Sequence, residues 1–360
     1  MDFGLSEEHE LLQATVRGFA ERECPAPVLR AQFDAEADGS PALWRGLAEL
    51  GVAGLAVPEA YGGAGLGLLE LALVAEVLGH AAVPGPFLGH ALATLAVALG
   101  GSEAQRSAWL PSLASGQRLG TVAFAEPGHE EGWRPEGWTA KADGAANGAK
   151  AFVPAAAHAD LFVVGVAGGG LAVVERGAPG VSVEPLAGAD RTRRFGRLSL
   201  AGAPCERLAA GADAAPRVVD AGLVLLAADA LGGAARCVEA SVAYAKTREQ
   251  FGVTIGHFQA LKHQLADMAL EVEPSRALVW YAAHAFDALP AEAPRAAALA
   301  KAHLTDAFLR VARDAVEVHG GIGFTWECDV QIWYKRAMFD RAFLGTPAAH
   351  RERAARLAGW

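Results

Sequence analysis

The chain has 360 residues, 52% of them hydrophobic and mostly Ala, Leu and Val. That is enough for two or three packed cores, and it excludes disorder as a general description. A net charge of −10 and a pI near 5.6 exclude nucleic acid as a default partner, because phosphate binding needs a basic surface.

The N-terminal third reads as helical. Ser6 can cap a helix whose apolar residues Leu12, Val16 and Phe19 recur at helical spacing. The acidic start "MDFGLSEEHELL" is unlike a secretory signal. Ser40-Pro41 predicts a cap followed by proline at the first helical position, and Gly51 ends that helix. After the loop "VPEAYGGAGLG", helices are expected at 68–79, 88–100 and 102–115. From Val77 to Ser102 there is no charged residue, but Pro84, Gly85, Pro86 and Gly89 interrupt the stretch. Only "ALATLAVAL" is continuously apolar, too short for the roughly 20 residues of a membrane span. A buried helix is expected, and no membrane partner.

The middle third changes period. "LGTVAFAE", "GWTAKAD", "LFVVGV", "LAVVE", "VSVEPL" and "RLSLAG" are short, alternating or β-branched, and punctuated by glycine. "LFVVGVAGGGLAVVE" reads as a hairpin with a glycine turn. Strands with no helices between them predict an antiparallel sheet or small barrel rather than βαβ units.

From about Pro216 the helical period returns. Leu261, Leu265, Met268 and Val272 alternate four and three apart, as do Leu304, Phe308, Val311, Ala315 and Val318. Such seams belong to a helix bundle, and Pro274 should break its helix. The fold class is therefore α+β: an N-terminal helical domain (1–118), a middle antiparallel β domain (119–212) and a C-terminal four-helix bundle (213–360).

Site signatures are sparse. Walker-type GxxxxGK[ST], HExxH and GxSxG patterns are absent, and no metal site is expected. "HGGIGF" (His319 to Phe324) follows a helix rather than a strand, which excludes the dinucleotide fingerprint of a parallel sheet. Its glycines read either as a helix C-cap or as bare backbone that a phosphate can approach. The connector "TREQFGVTIGHFQ" (Thr247 to Gln259) is polar and aromatic between two apolar helices. Arg248 is either a solvated helix-end residue or a fork for an oxyanion, and Gln250, Phe251 and Phe258-Gln259 favour the second.

At these residues the sequence resembles the acyl-CoA dehydrogenase family. The resemblance is carried by "YAKTREQFGVTIGHFQALKHQLADM" and "AVEVHGGIGFTWE". It continues in "LAELGVAGLAVPEAYGGAGLG", "LVAEVLGHAAVPGPF" and "NGAKAFVPAAAHADLFVV", and so covers almost the whole chain in order. The family implies an FAD enzyme, usually a dimer of dimers, that oxidises an acyl thioester to its α,β-enoyl form. A carboxylate takes the α-proton, hydride leaves the β-carbon for the flavin, and an electron-transfer flavoprotein is the acceptor.

Carried over position by position, Arg248, Gln250 and Phe251 match the stretch reaching a neighbouring subunit's FAD. Gly320 and Gly321 match the loop against its pyrophosphate. Glu317 stands where Gln is usual, and its simpler role is as a helix-face partner for Arg313. Phe124 and Ala125 precede the retained Glu126-Pro127, Phe152-Val153-Pro154 replaces the usual Trp-Ile-Thr of the flavin wall, and Thr346 follows the usual base position.

That base position holds Leu344, and the alternative on the first C-terminal helix holds Gly222. Asp229, in the apolar "LVLLAADALGG", is the remaining candidate base. The opposing reading pairs it with Arg236. Two functions are therefore expected of the sequence. One is an FAD-dependent dehydrogenase of a CoA- or carrier-bound acyl group, working as a homo-oligomer. The other is a non-catalytic chain in a heteromer; a flavin-dependent tailoring reaction has no positive feature in its favour.

Overall fold

The structure is a computed structural model that describes residues 4–35, 41–128 and 132–360. Helix α1 (Glu7–Glu23) begins where expected. The Ser6 hydroxyl accepts from His9 N–H, and His9 returns its ring nitrogen to the Ser6 N–H. The expected cap Ser40 lies outside the described residues. Helices α2 (Ala26–Asp34) and α3 (Pro41–Glu49) follow, with Gly51 at φ 82° closing the turn after α3. Next come α4 (Leu68–His80), α5 (Phe87–Gly100) and α6 (Glu103–Ala114). Residues 88–97 of α5 are all buried, so its apolarity is that of a core helix.

Among the described residues, eight strands form two four-stranded sheets. These are β1 (Gly120–Ala123), β2 (Lys141–Ala142), β3 (Ala145–Pro154), β4 (Leu161–Val166), β5 (Gly170–Glu175), β6 (Val181–Leu186), β7 (Phe195–Pro204) and β8 (Glu206–Arg207). One sheet runs β1-β4-β5-β8 and the other β2-β3-β7-β6. Phe162, Val164 and Val174 of the first share a core with Ala146, Val153 and Leu198 of the second. The expected hairpin is β4–β5, with Gly168 and Gly169 both at positive φ as a tight primed turn requires. One pairing departs from the all-antiparallel expectation: β1 runs parallel to β4, Gly120 opposite Leu161 through Ala123 opposite Val164. The intervening β2–β3 segment returns the chain to the same end of the sheet, which the period of a short strand cannot reveal.

Helix α7 (Gly211–Thr247) is followed by the small hairpin β9 (Glu249–Gln250) and β10 (Val253–Thr254). Then come α8 (Gln259–Val272), α9 (Arg276–Ala288), α10 (Ala293–His319), α11 (Val330–Ala342) and α12 (Pro347–Leu357). Pro274 sits in the short 3-10 turn that separates α8 from α9, as expected. An 18-residue window of α7 is apolar enough to cross a membrane, and 94% of it is buried inside the fold.

The chain packs as two compact units. One is formed by residues up to 33, 72–83 and 224–360, the other by 34–71 and 84–223. Within the first, α4 and α7 meet backbone to backbone. A Cβ on Gly232 would lie 1.8 Å from the Glu76 carbonyl oxygen, and one on Gly79 would lie 2.2 Å from that of Asp229.

Candidate active site

In the helical unit, α7 delivers its last turn directly into the β9–β10 hairpin. The Arg248 N–H donates to the Tyr244 carbonyl and the Ile255 N–H to the Arg248 carbonyl, each at 2.8 Å, so the connector is held from both ends. The side chains of Arg248, Gln250 and Phe251 are exposed. Phe251 is 92% exposed and sits at φ 54°, with Gly252 at φ 78°. Two consecutive positive-φ residues make a primed turn, where Asn-Gly is the comfortable pair. A phenylalanine there costs about 1 kcal/mol of backbone strain and gains no burial within the chain.

The glycine turn lies at the same end of this unit. Tyr244 of α7 stacks on His319 of α10, with ring centroids 4.5 Å apart and 25° between planes. His319 also contacts the Ala315 carbonyl through Nδ1 at 2.7 Å, a helix-end role. Immediately after it, Gly320 has φ 65° and ψ −145°, a conformation open only to glycine. A Cβ on Gly320 or Gly321 would meet nothing within 4 Å, so the backbone there faces open space. Glu317 is exposed on the same turn, and Arg313 lies 3.5 Å from Asp314 rather than pairing with Glu317 as expected.

The candidate base positions are differently furnished. Leu344 is 4% exposed at φ 57°. Its carbonyl contacts His350 Nε2 at 2.8 Å, and the neighbouring Phe343 carbonyl accepts from Lys301 Nζ at 2.9 Å. The loop is thus rigidly held around a side chain that cannot take a proton. Gly222 is buried inside α7.

Asp229 is 2% exposed, and both its oxygens accept from Arg336, Oδ2 from Nε at 2.9 Å and Oδ1 from Nη2 at 2.7 Å. Arg336 is 1% exposed and donates also to the Val83 carbonyl at 3.3 Å. The expected pairing with Arg236 does not form, since Arg236 stacks over Trp333 near Glu239. A carboxylate gripped by a bidentate guanidinium is a poor proton acceptor, which moves Asp229 from base to structural ion pair.

In the other unit the segment 124–126 runs beside β3. The Phe124 ring is 3% exposed and stacks on Trp138 at 5.0 Å, so this residue can offer a ligand its backbone but not its ring. The Ala125 carbonyl accepts from the Ala151 N–H at 2.9 Å.

Beneath them lies a pair that sequence reading missed. Lys150, fully buried, donates to Glu126 Oε1 at 2.5 Å and to the Phe124 carbonyl at 3.4 Å. Glu126 also accepts from the Thr139 N–H and hydroxyl, each at 2.8 Å. Burial pushes the Lys150 pKa down to about 8 against the opposing pull of Glu126. Burial raises that of Glu126, but hydrogen bonds from Lys150 and Thr139 outweigh it and leave the carboxyl below its usual range. The available signal was a lysine in an otherwise apolar and small-residue strand.

At the end of β3, Phe152 has φ 52° and is 54% exposed, touching Phe195 edge-on at 6.2 Å. The register slips between Lys150 and Val153, a bulge that turns Phe152 outward. The Pro154 carbonyl accepts from the Thr121 hydroxyl at 2.6 Å. Thr346 is exposed and caps α12, accepting from the Ala349 N–H at 3.4 Å. The structure thus gathers Arg248, Gln250, Phe251, Gly320 and Gly321 at one end of the helical unit, and Phe124, Ala125, Phe152 and Pro154 on adjacent segments of the other.

Comparison with known proteins accords with this geometry. Residues 6–117 match the family described as acyl-CoA dehydrogenase, N-terminal domain, and residues 209–358 match acyl-CoA dehydrogenase, C-terminal domain. The chain is 35% identical over 344 residues to the acyl-CoA dehydrogenase IpdE2 of Mycolicibacterium smegmatis, spanning 95% of this chain and 96% of that one. Among solved structures it is similar to the ChsE4-ChsE5 complex from Mycobacterium tuberculosis, at 30% identity and a TM-score of 0.89 over 100% of this chain and 99% of that one. It is also similar to an acyl-CoA dehydrogenase complexed with FAD from Bacillus anthracis, at 27% identity and a TM-score of 0.88 over 97% of this chain and 66% of that one. On sequence over nearly its whole length, and on fold, the chain belongs to the acyl-CoA dehydrogenase family.

Proposed function

We propose that the protein carries out FAD-dependent α,β-dehydrogenation of an acyl thioester, in an assembly whose subunits share their flavin sites. The observation that carries the shared site is Phe251: an exposed aromatic on a strained turn, beside Arg248 and an open glycine backbone at the end of the same helical unit. The residues fit a dinucleotide. Arg248 supplies a charged fork, Gly320 and Gly321 leave room for a pyrophosphate to approach, and Phe251 supplies a face for a ring system. Phe152 and Pro154, with the backbone of Phe124 and Ala125, form the wall proposed for the isoalloxazine. Bound FAD supplies the hydride acceptor. The chain's part is to hold the acyl β-carbon against it and exclude water.

A second reading concerns the proton. Leu344 and Gly222 cannot accept one, and Asp229 is occupied by Arg336. This favours a heteromer in which a related chain contributes the carboxylate, with an electron-transfer flavoprotein as the acceptor. The four cysteines are free thiols, which supports a reducing, cytoplasmic setting.

The test is spectroscopic. The chain is purified alone and after co-expression with a related acyl-CoA dehydrogenase chain, and acyl-CoA is added anaerobically. Flavin absorbance that bleaches only in the co-expressed complex establishes the shared-site reading. Bleaching by the chain alone overturns the heteromer, and a complex without flavin overturns both.

A further inference from the structure

Burying an ion pair is no gain in itself. Apolar side chains of the same shape are often as stable as the pair or more so. The Glu126 carboxylate does not depend on Lys150 for its hydrogen bonds. It accepts also from the Thr139 N–H and hydroxyl, each at 2.8 Å, and from the Ala140 N–H at 3.3 Å. What the lysine does that an apolar side chain cannot is donate to the Phe124 carbonyl, at 3.4 Å. Among the described residues no backbone N–H donates to that carbonyl, so Lys150 is its donor.

The lysine is itself held in place. Glu126 Oε1 lies 2.5 Å from Nζ, and the centroid of the Trp138 ring lies 5.5 Å from it. The Phe124 ring stacks on the same indole at 5.0 Å. Residue 124 is therefore fixed by its ring and by its carbonyl from one buried cluster.

Peptide geometry carries this one residue further along the chain. No peptide bond here is cis, and a trans peptide points its C=O and N–H to opposite sides. With the Phe124 carbonyl turned toward Lys150, the Ala125 N–H is turned away from the buried pair. The Ala125 carbonyl is taken by the Ala151 N–H at 2.9 Å. The N–H between these two anchored carbonyls donates to nothing among the described residues, and Ala125 is half-buried. A backbone donor so placed calls for an acceptor from outside the chain.

We propose that Lys150 is a positioning residue for the flavin: by holding the Phe124 carbonyl inward, it presents the Ala125 N–H as a hydrogen-bond donor to the polar edge of the isoalloxazine. This rests on the flavin wall proposed above. Glu126 serves the lysine, keeping it in reach of the carbonyl.

Two variants separate positioning from mere structure. Lys150→Met and Glu126→Gln both break the ion pair, but only the first removes the donor to Phe124. FAD is titrated into the flavin-stripped assembly by visible absorbance and circular dichroism, with urea midpoints measured on the same samples. Both variants should lower the midpoint. Only Lys150→Met should weaken FAD, by about tenfold, the scale of one hydrogen bond, and change the visible dichroism of what remains bound. Equal weakening in both variants, or in neither, overturns the proposal. A measurement on the wild-type assembly covers the case of a variant that folds poorly: hydrogen exchange at the Ala125 amide should slow at least about tenfold when FAD is loaded. Exchange that FAD leaves unchanged overturns the proposal too. A wild-type assembly that takes up no FAD overturns the dehydrogenase reading itself, whereas the other failures leave that reading standing.

Discussion

His90 shows how much one side chain fixes when its environment leaves it a single protonation state. It is 1% exposed, its Nδ1 accepts from the Gly120 N–H, and its Nε2 contacts the Ala53 carbonyl, each at 3.3 Å. One imidazole thereby ties α5 to β1 and to the turn after α3. Burial lowers its pKa from 6.5 to about 4, more than the carbonyls of Ala53 and Leu113 raise it. As pH falls below 6.5 the unfolded chain takes up a proton that the folded chain refuses until about 4. Stability present at neutral pH is therefore lost across that window, by about 3 kcal/mol if the whole shift is expressed. In His90→Gln, which keeps one donor and one acceptor, this pH-dependent loss should vanish. Urea midpoints at both ends of the window test it, and an unchanged slope in the variant would remove His90 as its source.

The same scale explains why the candidate base was misread. In sequence, Asp229 is a lone acid among leucines and alanines, and its partner Arg336 lies 107 residues away. Burial was legible from the apolar run, but the pairing was not. Lys150 and Glu126 stayed invisible for the same reason, because a buried ion pair leaves no periodic trace when its members come from different segments.

Between elements, the approach of α4 to α7 reverses an ordinary expectation about glycine. In a helix interior Ala is favoured over Gly by about 1 kcal/mol. Gly18 in α1 follows that rule, since its added Cβ would meet only the flexible end of Arg22 at 3.4 Å. Gly232 does not: its Cβ would collide with the backbone of Glu76 and His80. Gly18→Ala should stabilise the protein by about 1 kcal/mol and Gly232→Ala should destabilise it by about 3 kcal/mol, read from thermal midpoints. Equal signs would refute the backbone contact. Helices were the legible part of this fold, because caps, breakers and 3.6-residue spacing are local. The parallel β1–β4 pairing and the choice of which glycines are packing glycines depend on partners far along the chain.

For the whole molecule the question is what an isolated chain gives up in order to assemble. The connector from Thr247 to Gln259 is legible in the sequence as an exposed element, because a polar, aromatic stretch between apolar helices has no use inside a core, and its role in binding is the proposal made above. The structure adds the energetic signature: Phe251 occupies a positive-φ turn position and leaves 92% of its surface to solvent. Within the chain its ring meets only the edge of Phe258, 6.1 Å between centroids, and strain so lightly compensated is retained when further contacts lie elsewhere. Phe251→Asn creates the favoured Asn-Gly pair for this turn, so the free chain should gain about 1 kcal/mol in urea unfolding. The same substitution removes the aromatic proposed to face a neighbouring subunit's flavin, so the assembled protein should retain less flavin after gel filtration. Arg248→Ala serves as the companion, with the same loss of flavin and no gain in stability. If Phe251→Asn stabilises the chain and flavin occupancy is unchanged, the turn is merely strained and the shared-site reading fails. If stability falls instead, Phe251 makes contacts within its own chain that its exposure does not show.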